Sequence, residues 1–433
     1  MINYRSITIL IVTLCIFSGV ASGIERFPPP EFESGYQLPT STQPPPRQDI
    51  YEYIDVVVLL MALGLASYLV LKRRSRRLIF ALMVFSLLYF GFYREGCICP
   101  IGATQNVTLS IFDAEYAAPI FVVAFFVLPL IFTLFFGRTF CSSVCPLGAI
   151  QDFVLLRPVS VPLWLESGLR LFAYVYLGAA VLLAATGSAF IICRYDPFVS
   201  IFRFSGNLNI LILGASLLLI GVFIGRPYCR FICPYGVILR QFSRLSKKRV
   251  TITPDECIQC RLCEDTCPFG AIRKPATDFS AEDYSKSKKR LVLFILLLPV
   301  LIFLGGLAGS SLKAVTALSH PTNRLAERIY QEENGKVEGT TDASSAYRAT
   351  GQPISELYNQ ANTIRSQFGT GGWIVGGFVG LVIGLKLIGL SLRRKRTDYE
   401  ADRAGCFACG RCFEYCPQEK LRLKKLKEAT VKN

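Results

Sequence analysis

Histidine is nearly absent: the 433-residue sequence has one, His320. A transmembrane b-type haem held by two imidazoles cannot be built in one chain from a single His, so no haem is expected. Quinone oxidation through such haems is then unsupported, and His320, beside Pro321, reads as a surface residue. Carboxylates are nearly missing from the long apolar stretches, where Asp55 lies near one end and Lys386 is the one lysine. An ion-coupled redox pump needs intramembrane carboxylates, so that reading ranks last.

What the chain has is apolar bulk and cysteine. With 52% hydrophobic residues and 32 Phe, it reads as a membrane protein in which soluble parts are the minority. The 16 Cys fall mostly into metal-ligand spacings, which argues for clusters over a disulfide scaffold. Seven apolar runs, at roughly 53–71, 78–93, 118–136, 169–191, 208–225, 291–312 and 372–391, each approach the length of a membrane crossing. The net charge of +16 invites a nucleic-acid reading until the cations are located. Segments 72–77, 137–170, 226–290 and 393–433 hold 34 Lys and Arg, whereas those on the other side hold 11. The asymmetry sets orientation by the positive-inside rule and accounts for the basic balance without nucleic acid.

The cysteines are ordered. C-I-Q-C-R-L-C-E-D-T-C-P at Cys257–Pro268 and C-F-A-C-G-R-C-F-E-Y-C-P at Cys406–Pro417 are ferredoxin runs, C-x2-C-x2-C-x3-C-P. Zinc sites seldom pack four Cys so tightly with Pro behind the last. The usual exchange assigns Cys257, Cys260, Cys263 and Cys416 to one [4Fe-4S] cluster, and Cys406, Cys409, Cys412 and Cys267 to the other. A transmembrane hairpin separates the runs, so one two-cluster module is expected from distant halves.

A repeat underlies the membrane part. F-G-R-T-F-C-S-S-V-C-P-L-G at Phe136–Gly148 aligns with I-G-R-P-Y-C-R-F-I-C-P-Y-G at Ile224–Gly236 at an offset of 88. A pseudo-two-fold pair would bring Cys141, Cys145, Cys229 and Cys233 together as the ligands of a third, intramembrane cluster; the bland alternative for a single C-x3-C is two buried structural Cys. The Pro after each second Cys can open a helix whose free N–H groups face the cysteine. Arg138 and Arg226 beside these pairs should raise a cluster's potential. On the opposite side Cys97, Cys99 and Cys193 make three thiols, and Asp196 is the candidate fourth ligand of an outer cluster. A disulfide such as Cys97 to Cys193 is the competing reading.

The expected architecture is an α-helical integral membrane protein of about seven transmembrane helices with an internal two-fold repeat, plus a small α+β two-cluster ferredoxin-like cytoplasmic module. Residues 1–23 read as a signal peptide or signal anchor and 24–52 as an exported Pro-rich segment. The membrane core covers 53–245, the split module 246–289 and 393–433, and the hairpin 290–392 with an exported loop 313–371. Helices are expected in that loop at Arg324–Tyr330 and Pro353–Ala361. The expected location is a bacterial inner (cytoplasmic) membrane, in contact with lipid and without nucleic acid.

The duplicated G-R-x-[FY]-C-x3-C-P-x-G followed by ferredoxin runs, over about 95–417, resembles the NosR/NapH-type polyferredoxin membrane proteins. The resemblance implies cluster roles for the inner four and the eight ferredoxin cysteines. It also implies electron transfer from quinol or a cytoplasmic donor toward an extracytoplasmic flavoprotein or metal reductase, with maturation or assembly of an exported reductase as the alternative. The chain departs from that pattern in lacking an exported flavin domain ahead of the helices and an S/D-G-A-T flavin-attachment motif, so any flavin would come from a partner. It also adds outer cysteines and splits the ferredoxin runs. No catalytic residue is assigned; the expected role is an electron-transfer subunit of an oxidoreductase system.

Overall fold

The computed structural model describes residues 48–96, 99–253, 257–276, 281–392 and 396–432. The expected leader (1–23), the Pro-rich segment up to 47, Cys97, and the basic residues Arg393, Arg394 and Lys395 lie outside the described residues. In chain order the helices are α1 Asp49–Tyr68, running on as a π-helix to Arg73; α2 Arg76–Ser86, running on likewise to Tyr93; α3 Pro100–Phe112; α4 Ile120–Phe136; α5 Thr139–Ser143; α6 Pro146–Phe153; and α7 Leu163–Ala185. Then come α8 Ile191–Arg194, α9 Val199–Arg203, α10 Leu208–Gly221, α11 Pro227–Phe231, α12 Pro234–Arg244 and α13 Leu262–Asp265. After strand β1 (Ile272–Arg273) follow α14 Ala281–Ser311, α15 Lys313–Ala317, α16 Pro321–Glu333, α17 Asp342–Ala349, α18 Ile354–Ser391, strand β2 (Glu400–Ala401), α19 Arg411–Tyr415 and α20 Pro417–Lys432.

Five segments are long and apolar enough to cross a bilayer: Asp49–Arg73, Arg76–Tyr93, Trp164–Ala185, Ser287–Ser311 and Ile354–Ser391. α4 and α10, where the sequence predicts two further spans, are shorter apolar helices. α4 stops at Gly137, whose φ of 72° no helix continues. Past α10 the chain reaches Arg226 at φ 49°, a left-handed conformation that costs a non-glycine residue free energy. Gly137 and Arg226 each stand just before a C-x3-C pair, whose first Cys lies on a separate short helix.

The loop 313–371 is more ordered than its polarity suggests. α18 begins at Ile354, well before the expected span at 372, and its 38 residues measure about 57 Å at 1.5 Å per residue. Pro353 caps it, and nothing in 354–371 breaks the helical period. Its first turns bury Leu357 and Ala361 against Ala326 and Ile329 of α16, a small satellite core. His320 is the N-cap of α16: its Nδ1 accepts from the Thr322 N–H at 3.2 Å.

α14 and α18 form a hairpin packed backbone to backbone. A Cβ added to Gly376 would lie 2.0 Å from the Gly305 carbonyl oxygen, and one on Gly309 2.0 Å from that of Gly372. Only hydrogen at these positions lets the two axes come so close, the small-residue solution of helix pairs in lipid. Only 6% of the apolar stretch of α14 is buried, so α18 is nearly its sole support.

The ferredoxin halves meet across this hairpin. β1 and β2 pair antiparallel, Ile272 with Ala401 and Arg273 with Glu400, and Ala276 bridges Arg396. One continuous core joins the module to the membrane helices, running from Leu63 and Ile79 through the inner cysteines to Phe269, Phe407 and Phe413. An ion pair and a hydrogen bond seal the seam: Arg74 meets Glu419 at 2.5 Å and donates to the Ile252 carbonyl at 2.7 Å.

Candidate iron-sulfur sites

Two cavities in the ferredoxin module are each rimmed by four cysteines, three from one run and one from the other. Cys257, Cys260, Cys263 and Cys416 line the first, with Ile252, Arg261 and Tyr399. Cys267, Cys406, Cys409 and Cys412 line the second, with Val250, Phe269 and Phe407. The loop conformation is the same in both runs. Gln259 and Arg261 in one, Ala408 and Gly410 in the other, have φ of 52°, 66°, 54° and 83°. These left-handed residues sit in each two-residue gap and coil the backbone around the cavity, turning N–H groups inward; Ala408 N–H donates to Cys406 Sγ at 3.4 Å. Among the described residues no three His, Cys, Asp or Glu side chains converge as a single-ion site requires. Four thiols spread around a cavity fit a multi-iron cluster better than one zinc ion. The sets differ in access: Cys260 is exposed, whereas Cys409 and Cys412 are buried.

The inner pairs come from short helices. Cys141 and Cys229 lie within α5 and α11, while Cys145 and Cys233 are the N-caps of α6 and α12, each followed by Pro. All four are buried and near enough to act on one another electrostatically. Burial pushes the Cys229 thiol up to about 11, though Arg226 and a hydrogen bond from Gln151 pull it down. Sulfurs so placed need cationic compensation to be thiolates, which iron supplies. Three donors already point at them: Gln151 Nε2 to Cys229 at 3.3 Å, Gly236 N–H to Cys233 at 3.3 Å, and Arg138 Nη2 to Cys141 at 3.6 Å.

The two arginines do different work. Arg226, fully buried, reaches across the repeat to donate to the Cys141 and Ser142 carbonyls and approaches Asp152 Oδ1 at 3.4 Å. Arg138 reaches its own pair and stacks over Phe407, 4.1 Å from the ring centroid. Phe407 in turn lies 4.7 Å from Phe269. These two rings line the second ferredoxin cavity, and Arg226 lies within 6 Å of both. Asp152 collects Arg76 at 2.7 Å and Arg411 at 3.5 Å as well. Burial would raise its pKa, but the three arginines hold the carboxyl down at about 2.

Neither Gln151 nor Asp152 stands out by residue type. The signal for them is where the repeat fails: at the offset of 88, Gln151 faces Leu239 and Asp152 faces Arg240. The two phenylalanines sit beside ligand-spaced Cys, in C-P-F and C-F-A-C, where an aromatic is easily passed over.

On the far side Cys99, Cys193 and Asp196 line a cavity of about 810 Å³ with Glu52, Asn106 and Arg203. It is wider than the ferredoxin cavities, at about 480 and 330 Å³. A Cβ on Gly102 would come within 3.1 Å of Cys193 Sγ, so glycine there lets α3 approach that sulfur. Asp196 is buried, and its Oδ1 accepts from the Phe198 N–H at 2.9 Å, a local capping role in its own right. Cys97, expected beside them, lies outside the described residues.

One 4Fe-4S binding domain family matches the chain twice, over 118–162 and 207–253, the two copies of the repeat. A second 4Fe-4S binding domain family matches 250–273, the first ferredoxin run. Similar proteins include the putative electron transport protein YccM of Escherichia coli (strain K12), 27% identical over 187 residues, 39% of this chain and 52% of YccM. The uncharacterized protein MJ0750 of Methanocaldococcus jannaschii is 26% identical over 46% of this chain and 82% of its own length. Protein NirI of Paracoccus denitrificans is 28% identical over 51% of this chain and 35% of NirI. The match thus spans about half of YccM and a third of NirI. No solved structure matches. The chain thus carries 4Fe-4S binding-domain matches in both the helical core and the ferredoxin region and is similar to an electron transport protein, in keeping with its NosR/NapH resemblance.

Proposed function

We propose that the chain carries electrons across a bacterial inner membrane, between a cytoplasmic or quinol donor and an extracytoplasmic flavoprotein or metal reductase. The ferredoxin module faces the cytoplasm, and α4 and α10 complete seven crossings arranged as a two-fold repeat. Cys257, Cys260, Cys263 and Cys416 hold one [4Fe-4S] cluster, Cys406, Cys409, Cys412 and Cys267 a second, and Cys141, Cys145, Cys229 and Cys233 a third. Cys97, Cys99, Cys193 and Asp196 form the outer site. When bound, such clusters supply one-electron chemistry at potentials set by burial, charge and hydrogen bonds to sulfur.

The observation that carries this reading is the buried contact between the second ferredoxin cavity and the inner thiols. Phe269 and Phe407 close that cavity on the membrane side, Arg138 stacks on Phe407, and the same guanidinium lies 3.6 Å from Cys141 Sγ. Packing of this kind excludes water between the two sites and fixes their separation. The more exposed Cys260 set is the natural place for a soluble donor to meet the protein.

The test is iron and sulfide per chain on protein purified anaerobically in detergent, with EPR of the reduced form and a Cys416→Ser variant beside it. About twelve iron supports three clusters and about sixteen adds the outer one. In Cys416→Ser about four iron should be lost while the Cys406 set keeps its signal. About eight iron in the unaltered protein confines the clusters to the ferredoxin module and overturns the transmembrane conductor.

A further inference from the structure

A basic cluster stands outside the four cysteine sets, where α7, α12 and α18 pack together. Arg170 and Arg230 share one carboxylate, Glu166; Arg230 Nη2 lies 2.8 Å from Glu166 Oε1, and Arg170 forms an i,i+4 pair with it. Beside this triad sit two more cations. Arg240 is 8% exposed, and half-buried Lys386 donates to the Ser167 carbonyl at 2.8 Å with its Nζ 5.5 Å from the Tyr174 ring. Tyr174 accepts from Gln241, the neighbour of Arg240, at 3.0 Å. Arg170 and Arg240 are both close enough to Lys386 for their charges to repel.

Among the described residues Arg240 forms no ion pair, and the Nε atoms of Arg240 and Arg170 have no hydrogen-bond partner. Four cations therefore crowd a largely buried place in which Glu166 pairs with only two of them. Uncompensated buried charge is costly, so a bound anion would stabilise the arrangement. The surroundings identify its kind. Leu169 and Phe172 on α7, and Leu385 and Leu390 on α18, are exposed apolar side chains within a turn or so of the cations. A free anion gains nothing from that surface, whereas a lipid covers it with acyl chains while its phosphate meets the guanidiniums.

We propose that this cluster binds the headgroup phosphate of an anionic phospholipid, with Arg240 and Lys386 as its principal ligands. The site rests on α7 and α18 spanning a bilayer and is independent of how iron is bound. In the test, detergent-purified full-length protein is equilibrated with phosphatidylglycerol, phosphatidylcholine or inorganic phosphate, and retained lipid is counted by mass analysis. About one phosphatidylglycerol should be retained per chain. Each basic residue near a membrane surface is worth about a fivefold change in binding, so Arg240→Gln and Lys386→Gln should each weaken retention roughly fivefold and the pair roughly 25-fold. Arg240→Lys should keep most of it. Lys386→Gln, at the half-buried rim, serves where the Arg240 variant folds poorly. Iron per chain, measured on the same samples, should not move, which separates failure of this site from failure of the cluster assignment. Equal retention of phosphatidylcholine, displacement by millimolar inorganic phosphate, or undiminished retention by the double variant would each overturn the proposal.

Discussion

Asp152 is where the membrane core and the ferredoxin module are most open to a single change. Its side chain is 0% exposed and lies among arginines from three parts of the chain: Arg76 at the start of α2, Arg226 before α11 and Arg411 in the second ferredoxin run. Asp152→Asn keeps the shape and removes the charge. The three cations outweigh burial and lower the carboxyl from 3.8 to about 2. At 1.36 kcal/mol per pH unit, that gap corresponds to roughly 2 to 3 kcal/mol of stability. Stripping one partner from a buried ion pair costs about 3 to 5 kcal/mol. The variant belongs near the lower figure because Asn can still accept from Arg76. The sign is fixed: a depressed carboxyl contributes fully above about pH 4 and loses its contribution only as pH falls through about 2. Asp152→Asn should therefore be weaker by a constant amount from about pH 5 to 8, with no pH dependence of its own. The assay is unfolding of detergent-solubilised protein followed by tryptophan fluorescence, with exposed Asp113→Asn as control and iron measured in parallel. Stability within about 0.5 kcal/mol of the unaltered protein would refute the idea that this carboxylate ties the three parts together.

Two further outcomes follow from geometry alone. Gly376→Ala places a Cβ 2.0 Å from the Gly305 carbonyl oxygen, so α14 and α18 must part, at a cost of about 1 to 3 kcal/mol; Gly389→Ala, with nothing within 4 Å, should be silent in the same unfolding assay. Arg138→Gln removes the cation 3.6 Å from Cys141 Sγ and should lower the one-electron potential of the inner site by on the order of 100 mV, about the worth of one hydrogen bond to a charged sulfur; an EPR-monitored redox titration that does not move would count against a cluster there.

Much of the site can be read from spacing because cysteine ligands recur at short, rigid intervals. What spacing does not carry is the material between the sites. Arg226 looks, by its place in the repeat, like a neighbour of Cys229, yet its guanidinium is held by the carbonyls of the other copy. A left-handed backbone at φ 49° turns it there, and residue type does not announce that conformation. The hairpin shows a similar limit. Gly305, Gly309, Gly372 and Gly376 are small apolar residues that any hydrophobic span tolerates, and only the facing helix shows why a side chain would not fit. The sequence places a helix at Pro353–Ala361, but its continuity with the span from 372 is hidden by polarity: Asn362, Thr363, Arg365, Ser366 and Gln367 decorate the exposed side of the same helix, whose Leu357, Ala361 and Phe368 are buried. His320 reads as a surface residue by sequence, and its capping bond appears only in three dimensions.

The pairing of β1 with β2 has a consequence for how the protein is made. Because each ferredoxin cavity takes at least one cysteine from either side of the α14–α18 hairpin, a ribosome that has released everything up to α18 has produced neither cavity. Loading of either cavity with iron would have to wait until both helices have been made and the last forty or so residues have emerged. The chain thus contains its own order of assembly, in which synthesis of both helices precedes metallation and a truncated product is left without either ferredoxin site.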